Sequence, residues 1–526
     1  MNAAWLPFVG ETEDPDEPFL ERAARWAVGV SYREIPKPVR RTAKMQLTSA
    51  IGAALWTRMH PLGERIERAI GAEKRRGNST FFGGERLTPS GAVRGNAALS
   101  GALEFDGRLL GGATSPSCVF VPLAYAEATN ASGRDLLVAQ VAANEITARL
   151  GAATAVGSFA GPNAAWSHAA GAAVGRAILE GDDRETLADA LAIALTAPSR
   201  PIKRSTLGSD AGVWMASDAI QTGISALDGA RAGMAGSRDM IEAEDGLLAS
   251  VSPHPAKAYL SALGSRWHTA AVSVSAVPGN VYVAAAAEAG LEARSQFDRG
   301  RTIIDRVDVY GPRAMVSVDD EAKSYLDEER DSIAARSRSV TDAVATGLVT
   351  GESPPRRLAE RAERAAIERV EERIGVHHDP ELTFAALRST VPEGVDFETA
   401  TGSVAVHVGK ALGPAAAVRH APTVIRMGSR LAEPPTVDDF ERRIGARVVV
   451  RTADGRTVEA TVDRPSGTAG APLAEIRAVA RSKCRNAFEA LGCSEPAARD
   501  RTDRLLAIDE RDEIRIDRLL GALDTG

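Results

Sequence analysis

Residues 1–290 show almost no alternation of apolar and polar side chains. The apolar positions recur at helical spacing, and most of them are alanine or glycine. A stretch that long with one period points to a helical domain. Small side chains let helix axes approach closely, so the core is expected to be built on tight crossings. "ASGRDLLVAQVAANEITARLGAA" shows the local logic. Ser132 is followed three residues later by Asp135, a capping-box arrangement ahead of an apolar helical repeat.

The period changes beyond residue 290. "TIIDRVDVYG" is β-branched and alternating, which predicts a strand. "ARVVVRTADGRTVEATVDRP" predicts a hairpin that turns on Asp454-Gly455. A charged helix lies between them at "PPRRLAERAERAAIERVEERIG", and the two histidines after it, His377 and His378, fall in an expected loop. From "LAEIRAVARSKCRNAFEAL" to the end the pattern is helical again. These shifts predict a mainly α protein. A helical domain spans 1–290, an α+β lid is inserted at 291–475, and the helical 476–526 packs back on the first domain.

At 526 residues the chain exceeds what one compact core usually holds. A net charge of −7 without a basic face argues against nucleic acid as a partner. No apolar run reaches the length needed to span a bilayer, and the acidic start is unlike a signal peptide. Cys118, Cys484 and Cys493 form neither a disulfide framework nor a CxxC pair. A cytoplasmic, membrane-free protein is expected. The eight histidines are scattered, so no metal site is expected either. Phosphate-loop, zincin and nucleophile-elbow motifs are absent.

Three stretches resemble one family in the same order. They are "NAALSGALEFDG" with the "SPSCVFVPLAYAEATNASG" segment behind it, "GAAVGRAILEG", and "GSDAGVWMASDAIQTGISALDGARAGMAG". The hairpin "VVVRTADGRTVEATVDRPSG" resembles a late segment of the same family. The family is the MmgE/PrpD group, which includes 2-methylcitrate dehydratase, cis-aconitate decarboxylase and iminodisuccinate epimerase. The segment at about 375–440 is longer than the family usually carries.

The resemblance implies a helical domain built from both chain ends, an inserted lid, a cleft between them and a homodimer. It implies cofactor-free chemistry, in which a proton is removed beside a carboxylate and water or carbon dioxide then leaves. The family's first aspartate falls on Glu104 and its second on Asp106. The following aspartate and threonine fall on Gly107 and Arg108. Histidines of the pattern fall on Gly101, Ser115, Met215 and a residue near Ala284. A His-x-Thr falls on Pro162 and Ala164, and lysines fall on Gly212 and Ser275. Only Pro278 survives in the later segment.

Most of the family's proton-transfer and clamp groups are therefore replaced. Asp106, Glu104 and Lys203 are the candidate catalytic residues. Arg108, Ser115, Arg204 and His168 are the candidates for binding a small di- or tricarboxylate. The plainer alternatives are a Glu104–Arg108 pair, a solvated 203–204 loop and a core histidine. At the level of function, the alternatives to a lyase are an inactive binding or scaffold protein and an isomerase or epimerase.

Overall fold

The computed structural model describes residues 17–72, 76–84, 86–109, 112–154, 165–252, 255–297, 303–326, 332–353, 361–389 and 440–521. It is mostly helical, with small sheets.

The Gly133–Ala153 helix is the pillar of the first half. Every residue except Arg134 and Asp135 is buried, and its buried polar side chains are paired inside, Glu145 with Arg149 at 2.6 Å and Gln140 and Asn144 with Gln46. The capping box is formed. The Ser132 hydroxyl accepts from the Asp135 amide at 3.2 Å, and Asp135 Oδ2 accepts from the Ser132 amide at 3.0 Å. The preceding helix, Phe120–Thr129, stops at Asn130, which takes a left-handed conformation.

Small residues set the helix spacing. The Ser167–Glu180 and Trp214–Arg231 helices pack on each other. A Cβ on Gly223 would lie 2.0 Å from the Ala169 carbonyl oxygen, so only glycine permits this crossing. The same device joins distant parts of the chain. The Lys37–Arg58 helix, buried at every position from Met45 to Arg58, packs along Leu473–Ala490. A Cβ on Gly52 would stand 3.0 Å from Cys484 Cα.

Four strands form one sheet: β1 (Ile304–Gly311), β2 (Ile374–His378), β3 (Ala446–Thr452) and β4 (Thr457–Val462). Their order is β2-β1-β3-β4. β1 runs parallel to β2 and antiparallel to β3, and β3 and β4 are the expected hairpin, with Gly455 at φ +83°. Val307, Val309, Val448, Val450 and Ala460 point to one side and form a core with the Val281–Ser295 and Val340–Thr350 helices.

The charged helix is described over Arg361–Glu371, and His377 and His378 lie in β2 rather than in a loop. The physical reason is pairing. His377 sits opposite Tyr310 across the parallel ladder, packs against its ring at 5.1 Å, and bonds Asp308 through Nε2 at 2.9 Å. Nothing in the local pattern of "IGVHH" announces such a strand, because its partner lies 67 residues earlier, as Tyr310↔His377 shows.

No helix among the described residues is long and apolar enough to cross a membrane. Among those residues no cluster of His, Cys, Asp and Glu is arranged to hold a metal ion.

Candidate active site

The 101–115 turn is built to present its acids inward. The Pro89–Gly101 helix ends and the chain reverses at Glu104, whose φ of +48° lies in the left-handed region. Phe105 is fully buried and anchors the turn. The Gly107 amide donates to Ser115 Oγ at 3.1 Å, and the Thr114 amide donates to the Gly107 carbonyl at 3.3 Å. Arg108–Leu109 then pairs with Gly112–Ala113. Arg108 also exchanges two backbone hydrogen bonds with Ser273, at 2.9 and 2.8 Å. At Gly107, where the resemblance places an aspartate, any Cβ would lie 2.6 Å from Ser115 Oγ. This chain closes the turn over the position that the family fills with an acid.

Glu104, Asp106 and Arg108 come together, and three further cations join them from distant sequence. Arg338 donates through Nε to Glu104 at 2.6 Å, and Arg108 donates to the other Glu104 oxygen at 3.1 Å. Burial works to raise the Glu104 carboxyl, but the two guanidinium groups outweigh it and hold it below the usual range. Lys483 is buried, with Nζ donating to the Phe105 carbonyl at 2.7 Å and to Ser49 Oγ at 2.8 Å, and lying 4.0 Å from the Phe105 ring centre. Arg442 arrives from the other side and donates to the Leu109 carbonyl at 3.3 Å.

Asp106 is the unsatisfied member. It is 1 % exposed, forms no ion pair among the described residues, and its Oδ2 accepts no hydrogen bond. Burial pushes its carboxyl up to about 6, against the opposing pull of Arg108 and Lys483. Burial also lowers the Lys483 amine to about 7, opposed by Asp106. The site therefore holds an acid and an amine that both titrate near neutrality, the range in which proton transfer is efficient. Arg108, Arg338 and Lys483 surround two carboxylates, with Arg442 beside Arg108, an excess of positive charge suited to an anionic substrate.

The remaining candidates are placed differently. Ser115 is fully buried and bonds Gly107 and the Gln46 amide, so its hydroxyl closes the turn. His168 is buried behind the Ser115–Cys118 turn, with Nδ1 2.8 Å from Ser117 Oγ, and burial lowers its ring to about 4. Arg204 is exposed and stacks on Tyr325 at 5.3 Å, in a surface groove shared with Ser205, Gly208 and Ser209. The side chain of Lys203 lies outside the described residues, as do Pro162 and Ala164. The helix that carries Lys203 still borders the site, because Arg338 also donates to the Leu207 carbonyl at 3.5 Å.

The MmgE/PrpD N-terminal domain matches residues 21–260. Those residues belong to the MmgE/PrpD family. The three stretches that carry the resemblance lie inside the matched span, and so do Glu104, Asp106 and Arg108. The sheet, Arg338, Arg442 and Lys483 lie beyond it. No curated protein matches the chain.

Proposed function

We propose that the chain is a lyase of the MmgE/PrpD type, acting on a small di- or tricarboxylic acid without a cofactor. The family supports dehydratase-type chemistry, and one observation carries the residue assignment. Asp106 is a buried carboxylate with a free oxygen, raised to about 6, in a surround of excess positive charge.

Asp106 takes the proton from the carbon next to a substrate carboxylate. The C–H electron pair becomes the new double bond, and the leaving hydroxyl departs as water with a proton returned from Asp106. The charge that develops on the neighbouring carboxylate is stabilised by Arg108, preorganised by its ladder to Ser273. Glu104 is a positioning residue that fixes Arg108 and Arg338. Lys483 positions too, by holding the Phe105 carbonyl and keeping the Asp106 carboxyl from rising further.

The test is turnover of 2-methylcitrate, cis-aconitate and related acids in D2O. A lyase consumes substrate with release of water or carbon dioxide. Deuterium entering the substrate without product would favour an epimerase instead. Asp106→Asn should lower kcat at least a hundredfold with the circular dichroism spectrum unchanged. Turnover that survives this change would remove Asp106 from the mechanism.

A further inference from the structure

Arg442 is an anomaly among the buried charges. Its residue is 8 % exposed, yet no carboxylate of the described residues pairs with it. One nitrogen reaches the Leu109 carbonyl, while Nε has no hydrogen-bond partner. Arg108 is in a similar position: one nitrogen serves Glu104 and its buried Nε is unpartnered. The two guanidinium groups repel each other, and Tyr282 is coupled electrostatically to both. Tyr282 is half-buried, and its amide donates to Asn280 Oδ1 at 2.9 Å. A buried cation without an anion is costly, and a second guanidinium beside it adds to the cost.

The backbone holds these groups in place. The Arg442 amide donates to the Ala469 carbonyl at 3.1 Å, and the Ala469 amide donates to Ser273 Oγ at 2.8 Å. Ser273 is the residue laddered to Arg108. Tyr282 sits in the first turn of the Val281–Ser295 helix, whose cap, Asn280, follows directly on the same loop. Three sequence-distant elements thus bring two guanidinium groups with unpartnered Nε atoms to one place.

We propose that Arg108, Arg442 and Tyr282 form a subsite for a second carboxylate of the substrate, the one remote from the carbon that loses its proton. Arg108 spans both halves of the site. Arg442 is the residue that makes a dicarboxylic or tricarboxylic acid preferred over a monocarboxylic one. The assignment rests on the polycarboxylate reading above, but it does not depend on Asp106 being the base.

Binding of unreactive acids to the full chain tests it, followed by thermal shift and calorimetry. Tricarballylate should raise the Tm of the parent, whereas propionate and sulfate at equal concentration should not match it. Arg442→Gln should weaken tricarballylate at least roughly tenfold while leaving the ligand-free protein no less stable. Tyr282→Phe, which removes no charge, should weaken it more modestly. Asp106→Asn should bind it undiminished even though turnover is lost, which separates this subsite from the base assignment. The proposal is overturned if the parent binds no polycarboxylate, if sulfate matches tricarballylate, or if both Arg442→Gln and Tyr282→Phe bind as the parent does.

Discussion

Glu104 holds a left-handed backbone conformation that costs a side-chain-bearing residue about 1–3 kcal/mol, and the chain keeps it there between two arginines. Asp106, two residues on, carries a second cost. Its carboxyl titrates near 6 in the folded state and near 3.8 when unfolded. A folded value above the unfolded one means that the group favours folding at low pH, where it is protonated in both states. That contribution is lost as pH rises from about 4 through 6. At 1.36 kcal/mol per unit, the charged carboxylate costs roughly 3 kcal/mol above that window. Asp106→Asn is therefore expected to be more stable than the parent at pH 7 and indistinguishable from it below about pH 4. Thermal melts across pH 4–8 check this, and parallel curves for the two proteins would show that Asp106 does not titrate in that window. The acidic loop was legible in the sequence because Glu104, Asp106 and Arg108 lie within five residues. Arg338, Arg442 and Lys483 were not, since each is a lone cation in an ordinary local pattern, and only the fold brings them to one place.

At the scale of elements, periodicity and capping carried most of the reading. The Ser132–Asp135 box and the Asp454-Gly455 hairpin both follow from local rules, and the structure shows each of them. β2 escaped because its strand character depends on pairing with β1 and not on its own alternation. The alanine and glycine content predicted close helix crossings without saying which glycines matter. Gly223 is one that does. Its added methyl would have to enter the Ala169 carbonyl, which belongs to backbone and cannot swing aside. Gly223→Ala should force the Trp214–Arg231 and Ser167–Glu180 helices apart and cost about 1–3 kcal/mol. Gly29, whose Cβ would meet nothing within 4 Å, supplies the control. Denaturant midpoints for Gly223→Ala and Gly29→Ala should differ clearly; equal midpoints would mean that the crossing is not limited by this contact.

At the scale of the whole molecule, the site is assembled from both ends of the chain. Asp106 comes from the matched family domain, whereas Lys483, whose carbonyl accepts from Trp56 Nε1 at 3.3 Å, comes from the helix that lies along Lys37–Arg58. Further along, the Gly133 amide donates to the Arg511 carbonyl at 2.9 Å and the Ile514 amide donates to the Ala131 carbonyl at 2.8 Å, so the last residues brace the start of the central helix. Phe488, Leu505, Ile508, Ile514 and Leu520 belong to the same core cluster as Leu47, Ile51 and Leu55. Removing residues 473–526 would strip the cover from a helix buried over fourteen consecutive positions from Met45 to Arg58, and would leave its polar Gln46, Thr48 and Ser49 in a half-open core. The lost core side chains are each worth about 1.5–3 kcal/mol of burial, and together they exceed the stability of an ordinary domain. The piece 1–472 is therefore expected to show no cooperative thermal transition and to bind a dye that reports exposed apolar surface, while the full chain melts cooperatively. A 1–472 piece that melts cooperatively within a few degrees of the full chain would mean that the first helical stretch folds alone, and that the C-terminal helices are needed only to deliver Lys483 to the site.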